Sequence, residues 1–367
     1  MKYPLKVRQI ALFFVAFLPI VKMFTMPKSA TEASNENMWL SILINLIIDY
    51  ATIIVLIKVN KIHDKSFYQI LKDKFGVTFA KTVLCFYLFY FLIKAFTPIF
   101  ELRNFVQNSF YATSIRVFPF VPFFILSTFL CIKKLTVLGR LADLTWILTV
   151  IGVGLILFLS IANADFGAIL PILNKNNDVI KGSYYTAPWF TDASYFLFMI
   201  GFFEQDKKTT LKLSLGFLGH GLLLLLFCIT FYCTFTFVAK REFFPLSEIS
   251  KYSGVINAIG RFDYIAILML LVTNTIAVAL PLFFATNVAM TIFDSQKPLL
   301  FAVIINLLHL IVATFFERYQ QYIISIIHLN LPLFMYALGN LLPILLIFIK
   351  PKKPLSKSEN RLIKKRG

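Results

Sequence analysis

Seven ionisable side chains interrupt otherwise apolar stretches of this chain: Lys22, Asp49, Lys94, Glu101, Arg103, Asp192 and Asp263. A charge at mid-bilayer costs from about 2.5 to over 10 kcal/mol, so each asks for a partner or a polar cavity. Lys22 and Thr25 lie between Pro19 and Pro27. Proline lacks an amide donor and clashes with the carbonyl four residues earlier. The two prolines predict a locally unwound stretch, whose freed backbone groups must be met by protein, water or ligand. The segment "GSYYTAPWFTDASYFLFMIGFF" (182–203) shows the same features, with Pro188, Thr191, Asp192, Ser194 and Tyr195 ahead of an apolar run. Two such interruptions point to a substrate site built from discontinuous helices. Plainer readings stand beside this one. Lys22 snorkels or pairs with Asp49 at a simple kink, and Asp192 caps its helix near the outer interface.

Lys94 and Glu101 are two helical turns apart on one face. Lys94 reads as the deeper, and Glu101 and Arg103 have the alternative of the outer headgroup layer. Thr273, Asn274 and Thr275 precede Pro281 and serve either a kink or a cavity wall. No phosphate-binding glycine loop, nucleophile elbow or zinc-protease motif is present, so no enzyme is expected. The cysteines Cys85, Cys131, Cys228 and Cys233 lie in or beside apolar runs without metal-ligand spacing. They read as small buried hydrophobes, and no metal or other cofactor is expected.

The elements that hold these residues are membrane spans. Of 367 residues, 59% are apolar and 15% charged, against about 45–50% and 25% in soluble domains. Candidate spans run at about 8–28, 38–58, 82–106, 117–133, 142–162, 187–204, 212–238, 262–292, 298–315 and 332–350. An amino-terminal run resembling a signal peptide is read as an uncleaved first span, because more spans follow at once. With cytoplasmic termini, 24 Lys and Arg fall in inner segments and 9 in outer loops, which fits the positive-inside rule. The net charge of +18 is therefore assigned to the anionic lipid bilayer and not to nucleic acid. The whole chain is expected to form one transmembrane domain: a first half at about 8–162, a second at about 187–350, and a basic cytoplasmic tail, 351–367. Residues 67–76, 246–260 and 317–329 read as short surface helices.

In order along the chain, several motifs resemble the endospore germination permeases, the B subunits of spore nutrient-germinant receptors. These are "VRQIALFFV" with a span ending at Pro27, "ELRNFVQ" with Arg103, and "GRLADL" (139–144) with Arg140 and Asp143. "NADFGAILPIL" (163–173), "FFPLSEI" and "INAIGRFDYI" (256–265), with Arg261 and Asp263, complete the series. The family belongs to the amino acid–polyamine–organocation transporter superfamily. The resemblance implies an all-α polytopic membrane protein of ten transmembrane helices, a LeuT-like five-plus-five inverted repeat with helices one and six broken. It implies a ligand pocket between those breaks, flanked by spans three and eight, with Lys22, Thr25, Lys94, Asp192, Ser194, Tyr195 and Asn274 as ligand contacts. Pro19, Pro27, Asp49, Glu101, Arg103, Arg140, Asp143, Arg261 and Asp263 take structural or gating roles.

The sequence departs from the family where ligand should bind. Ile20, Val21 and Lys22 replace small residues, Ser194 stands at the expected acidic position, and Ala277 and Leu270 stand for a lysine and a tryptophan. Lys22 either meets a ligand carboxylate or stands in for a coupling sodium ion. Three functions are carried forward. The first is a receptor subunit that binds a small nutrient, an amino acid above all, and signals within a complex of other germinant-receptor subunits in the spore inner membrane or cell membrane. The second is a proton-coupled amino-acid transporter. The third is a structural member of a membrane complex.

Overall fold

The computed structural model describes residues 4–110, 120–173, 178–251 and 263–350. Its regular elements there are helices, with one isolated backbone bridge between Leu5 and Phe203. They are α1 (Val7–Met23), α2 (Met26–Ser34), α3 (Met38–His63), α4 (Phe67–Phe75), α5 (Val77–Phe110), α6 (Val121–Cys131) and α7 (Leu135–Ser160). Then come α8 (Val179–Thr186), α9 (Ala193–Leu197), α10 (Thr209–Phe235), α11 (Pro245–Lys251), α12 (Asp263–Ile292) and α13 (Pro298–Phe315). The short helices α14 (Gln320–Ser325), α15 (Pro332–Tyr336) and α16 (Leu342–Leu345) follow.

Among the described residues, six helices are long and apolar enough to cross a membrane: Met26–His63, Val77–Gln107, Leu135–Asn163, Thr209–Arg241, Tyr264–Ile292 and Pro298–Phe315. A seventh candidate is the pair Glu317–Asn330 and Pro332–Phe348, bent by 62°. Of the ten expected spans, the first and sixth of them broken, six appear among the described residues as helices long enough to cross, and the rest as shorter or broken pieces. The reason is local. Pro27 has no N–H for the carbonyl of Met23, four residues back, and α1 stops at Met23. The segment predicted as a sixth span is divided between a 3-10 turn at Ala187–Phe190 and the five residues of α9. Residues 317–329, expected as a short surface helix, fall within Glu317–Asn330, one arm of the bent pair.

α1 is central and packs against α10, α7 and α12. A Cβ on Gly216 would sit 2.5 Å from the Ala11 carbonyl oxygen, so glycine lets α10 press onto the α1 backbone. Leu144, Phe158, Leu215, Leu222, Leu307 and Ile311 are exposed on α7, α10 and α13. Outward apolar faces of this kind are what lipid contact requires. α4 forms where the apolar spacing predicts a short helix, with Ser66 and Gln69 closing a capping box and Phe67, Ile70 and Leu71 buried.

Candidate functional site

The two chain breaks lie side by side. Lys22, in the last turn of α1, donates through Nζ to the Asp192 carboxylate and to the Leu18 carbonyl oxygen at 2.8 Å. Lys94, on α5, donates to Thr191 Oγ1 at 2.7 Å and lies 3.7 Å from Asp192 Oδ1. The Asp192 amide in turn donates to Asp49 Oδ2, on α3, at 3.1 Å. Two ammonium groups and two carboxylates therefore share one interior cluster. Lys22 is 2% exposed, Lys94 9%, Asp192 3% and Asp49 0%. Buried charges persist only when paired and hydrogen-bonded, and here each sign has two members.

Aromatic groups complete the shell. The Tyr90 hydroxyl is within hydrogen-bonding reach of Thr191 O (3.0 Å), Thr191 Oγ1 (2.7 Å) and Ser194 Oγ (2.9 Å). It ties the second break to α5. Lys22 Nζ is 5.3 Å from the Phe190 ring centre and Lys94 Nζ 5.1 Å from that of Tyr195, within cation–π range. Lys22, Lys94, Asp192 and Tyr195 line a small cavity of about 40 Å³, walled by Leu18, Val21, Ala277, Leu280 and Met335. That volume holds water but not an amino acid.

His328 and Trp189 roof the cavity, with ring centres 3.9 Å apart and planes 28° apart. His328 Nδ1 is 3.1 Å from the Tyr185 carbonyl oxygen. A carbonyl only accepts, so Nδ1 carries the proton. Nε2 is left as the acceptor, 3.4 Å from Thr97 Oγ1. Beyond this roof Thr25 donates to Glu101. Arg103 donates to the Ala313 carbonyl at 2.8 Å and pairs with Glu317 at 2.8 Å. Glu101 and Arg103 are thus interior groups, 5% and 3% exposed, and not headgroup contacts. Arg103→Lys keeps the charge but loses the planar fork that reaches two acceptors. It is expected to cost about 1–3 kcal/mol, read as a lower midpoint of thermal unfolding in detergent.

Other predicted residues lie elsewhere. Lys22 pairs with Asp192, not with Asp49 of the following helix. Asp192 makes no side-chain cap, because Lys22 and Lys94 take its carboxylate. Asn274 is buried on α12 but is not among the cavity's walls. Ser194 faces Tyr90. Asp143 meets Gln9 at 2.8 Å and Arg8 at 3.1 Å near the chain's start, while Arg140 is exposed. Pro19 sits inside α1 and Pro27 in the first turn of α2. Arg261 and the side chain of Asp263 lie outside the described residues. Tyr90, Thr97, Trp189 and His328 are site residues that reading the sequence missed. The cue for His328 was its place in "HLNLP", just ahead of the Pro332 bend.

Long apolar helices with outward apolar faces define an all-α polytopic membrane protein, and its fold is similar to that of LeuT-fold transporters. One similar structure is MHP1, a nucleobase-cation-symport-1 family transporter in a closed conformation with bromovinylhydantoin bound. It shares 12% identity, a TM-score of 0.52, and coverage of 88% of this chain and 75% of that one. Another is the Eremococcus coleocola manganese transporter in complex with an aromatic bis-isothiourea substituted compound. There the identity is 10%, the TM-score 0.53, and the coverage 97% and 83%. At such identities the likeness carries the fold alone. The chain belongs to the Spore_permease family, the spore germination proteins, which it matches over residues 5–349. It is a permease-type protein. No curated protein matches its sequence.

Proposed function

We propose that this chain is the nutrient-sensing subunit of a spore germinant receptor, and that its ligand is a small zwitterion, an amino acid. The observation that carries this reading is the buried Lys22–Asp192–Lys94 cluster between two chain breaks. A zwitterion exchanges partners there one for one, its carboxylate meeting an ammonium and its ammonium meeting Asp192. A ligand with one charge would leave a buried group unpaired. The apolar wall of Leu18, Ala277 and Met335 suits an aliphatic side chain. Because the cavity is smaller than an amino acid, binding must select a more open state, and that shift in population is the signal.

This reading takes the chain as one domain of ten spans in two inverted halves, with α1–α2 and α8–α9 as the broken helices one and six. It puts both termini in the cytoplasm, as the distribution of basic residues supports, and other receptor subunits beside it in the spore inner membrane. A proton-coupled amino-acid transporter is the second reading. It is favoured by two buried lysines sharing one carboxylate, an arrangement suited to carrying a proton. Proteoliposomes holding the purified chain, screened over amino acids with and without a proton gradient, decide between them. Saturable binding without net flux supports the sensor, accumulation driven by the gradient supports the transporter, and no binding removes both.

A further inference from the structure

A second, larger cavity of about 690 Å³ lies apart from the ion cluster. Pro4, Ser66, Lys134 and Gln296 are among its walls, which sets its mouth at the end of the bundle where the chain begins. Lys134 and Gln296 are exposed at that mouth. Its depth is closed by Phe198 and Phe284, and Asn287 and Thr291 add neutral polar groups to its side. The volume falls within the range of small-molecule sites.

Packed aromatic rings link the walls of this cavity to those of the ion cluster. Tyr195 lines the small cavity and Phe284 the large one, and their ring centres are 5.3 Å apart. Phe91 stacks on both, at 6.0 Å from Tyr195 and 5.6 Å from Phe284. Phe198 sits edge-on to Phe91 at 5.3 Å. Three of these four side chains have no hydrogen-bonding group, so the partition is held by packing. The opposite end is closed differently, by Thr25–Glu101, His328–Tyr185 and Arg103–Glu317. A ring moves by changing rotamer, whereas breaking those hydrogen bonds and ion pairs strands buried polar groups.

We propose that the large cavity is a second station for a small zwitterion, joined to the ion cluster by a route whose one barrier is the Phe91–Tyr195–Phe198–Phe284 partition. Its charged wall residues, Lys134 and Asp294, are exposed at the mouth, and Asp294 pairs with Lys81, while Asn287 and Thr291 offer neutral polar groups deeper in, so the cavity admits a zwitterion without a buried charge to trap it. The choice of cargo rests on the proposed nutrient site, while the route itself does not.

The test uses a membrane-impermeant maleimide on membrane vesicles of each orientation and no nutrient, so its result is independent of whether an amino acid binds. Labelling is read as the increment over the native chain, whose cysteines are mostly buried. Asn287→Cys is expected to react from the side that bears the amino terminus. Ala277→Cys, in the wall of the small cavity, is expected not to react. Adding Phe284→Ala, or separately Phe198→Ala, is expected to bring Ala277→Cys up to the Asn287→Cys rate from that same side. The Asn287→Cys rate in each alanine background reports whether the fold is kept. The proposal is overturned if Ala277→Cys stays unreactive in both backgrounds, if it reacts only from the opposite side, or if Asn287→Cys is not labelled from the amino-terminal side.

Discussion

Asp192→Ala is expected to destabilise the protein by about 3–5 kcal/mol, the usual penalty for stranding a buried charge. Lys22 and Lys94 would then face each other with only Asp49 as a counter-charge, and Thr191 would lose the neighbour that shares Lys94. Lys22→Met strands charge of the other sign, leaving Asp192 and Asp49 against Lys94 alone. The double variant Lys22→Met/Asp192→Ala restores one cation to one anion. It is therefore expected to be less destabilised than the sum of the two single changes, by at least about 1 kcal/mol of coupling. Thermal unfolding of the four proteins in one detergent measures this cycle. Additive losses would mean that the two side chains do not stabilise each other, and that their proximity is incidental.

The second large effect is on ligand response. Lys22→Ala is expected to abolish the response to an amino acid while the protein still accumulates in membranes. Asp192→Asn keeps the shape of the side chain and removes its charge. It is expected to weaken binding of amino acids by about ten- to a hundredfold, the value of one hydrogen bond to a charged group. It should leave binding of the corresponding deaminated acids nearly unchanged, since they bring no ammonium to this position. Equilibrium titration of both ligand classes against wild type and variant separates the roles. An equal loss for both classes would give Asp192 a structural role only. A normal nutrient response in Lys22→Ala would remove Lys22 from the mechanism.

These expectations depend on partners that the sequence shows only in part. The break in the first helix was legible, because a proline acts on the carbonyl four residues back and Pro27 therefore ends α1 at Met23. The interrupted segment 182–203 was legible for a similar reason, with Pro188 followed by Thr191 and Asp192. The partner of Lys22 was not. Asp49 is the nearer carboxylate in sequence, yet Lys22 reaches Asp192, 170 residues away. Asp49 instead accepts from the backbone of the second break. Periodicity puts a residue on a face, but which faces meet depends on helix packing over the whole chain.

The same limit explains the missed residues. Tyr90, Trp189 and His328 are ordinary in an apolar helix, where aromatic side chains fill space. Their contacts with the break at Thr191 and with each other follow from the packing of α5 and the bent pair, not from a local pattern. Glu101 and Arg103 illustrate the converse. Near the predicted outer end of a long span, they fitted the headgroup layer, and only the docking of α2 and of Glu317 puts them in the interior.

The sequence by itself determined that this is a polytopic helical membrane protein, where its first helix must break, and which few charges have to find partners. Composition, proline stereochemistry and the cost of a bare charge in lipid are local quantities, and they act whatever the fold. The tertiary structure alone decided that two lysines share one carboxylate, that Phe91, Tyr195 and Phe284 stack together beside it, and that hydrogen bonds join Thr25 to Glu101 and His328 to the Tyr185 carbonyl. Those outcomes are set by which helices touch, and contact between distant segments is a property of the assembled chain.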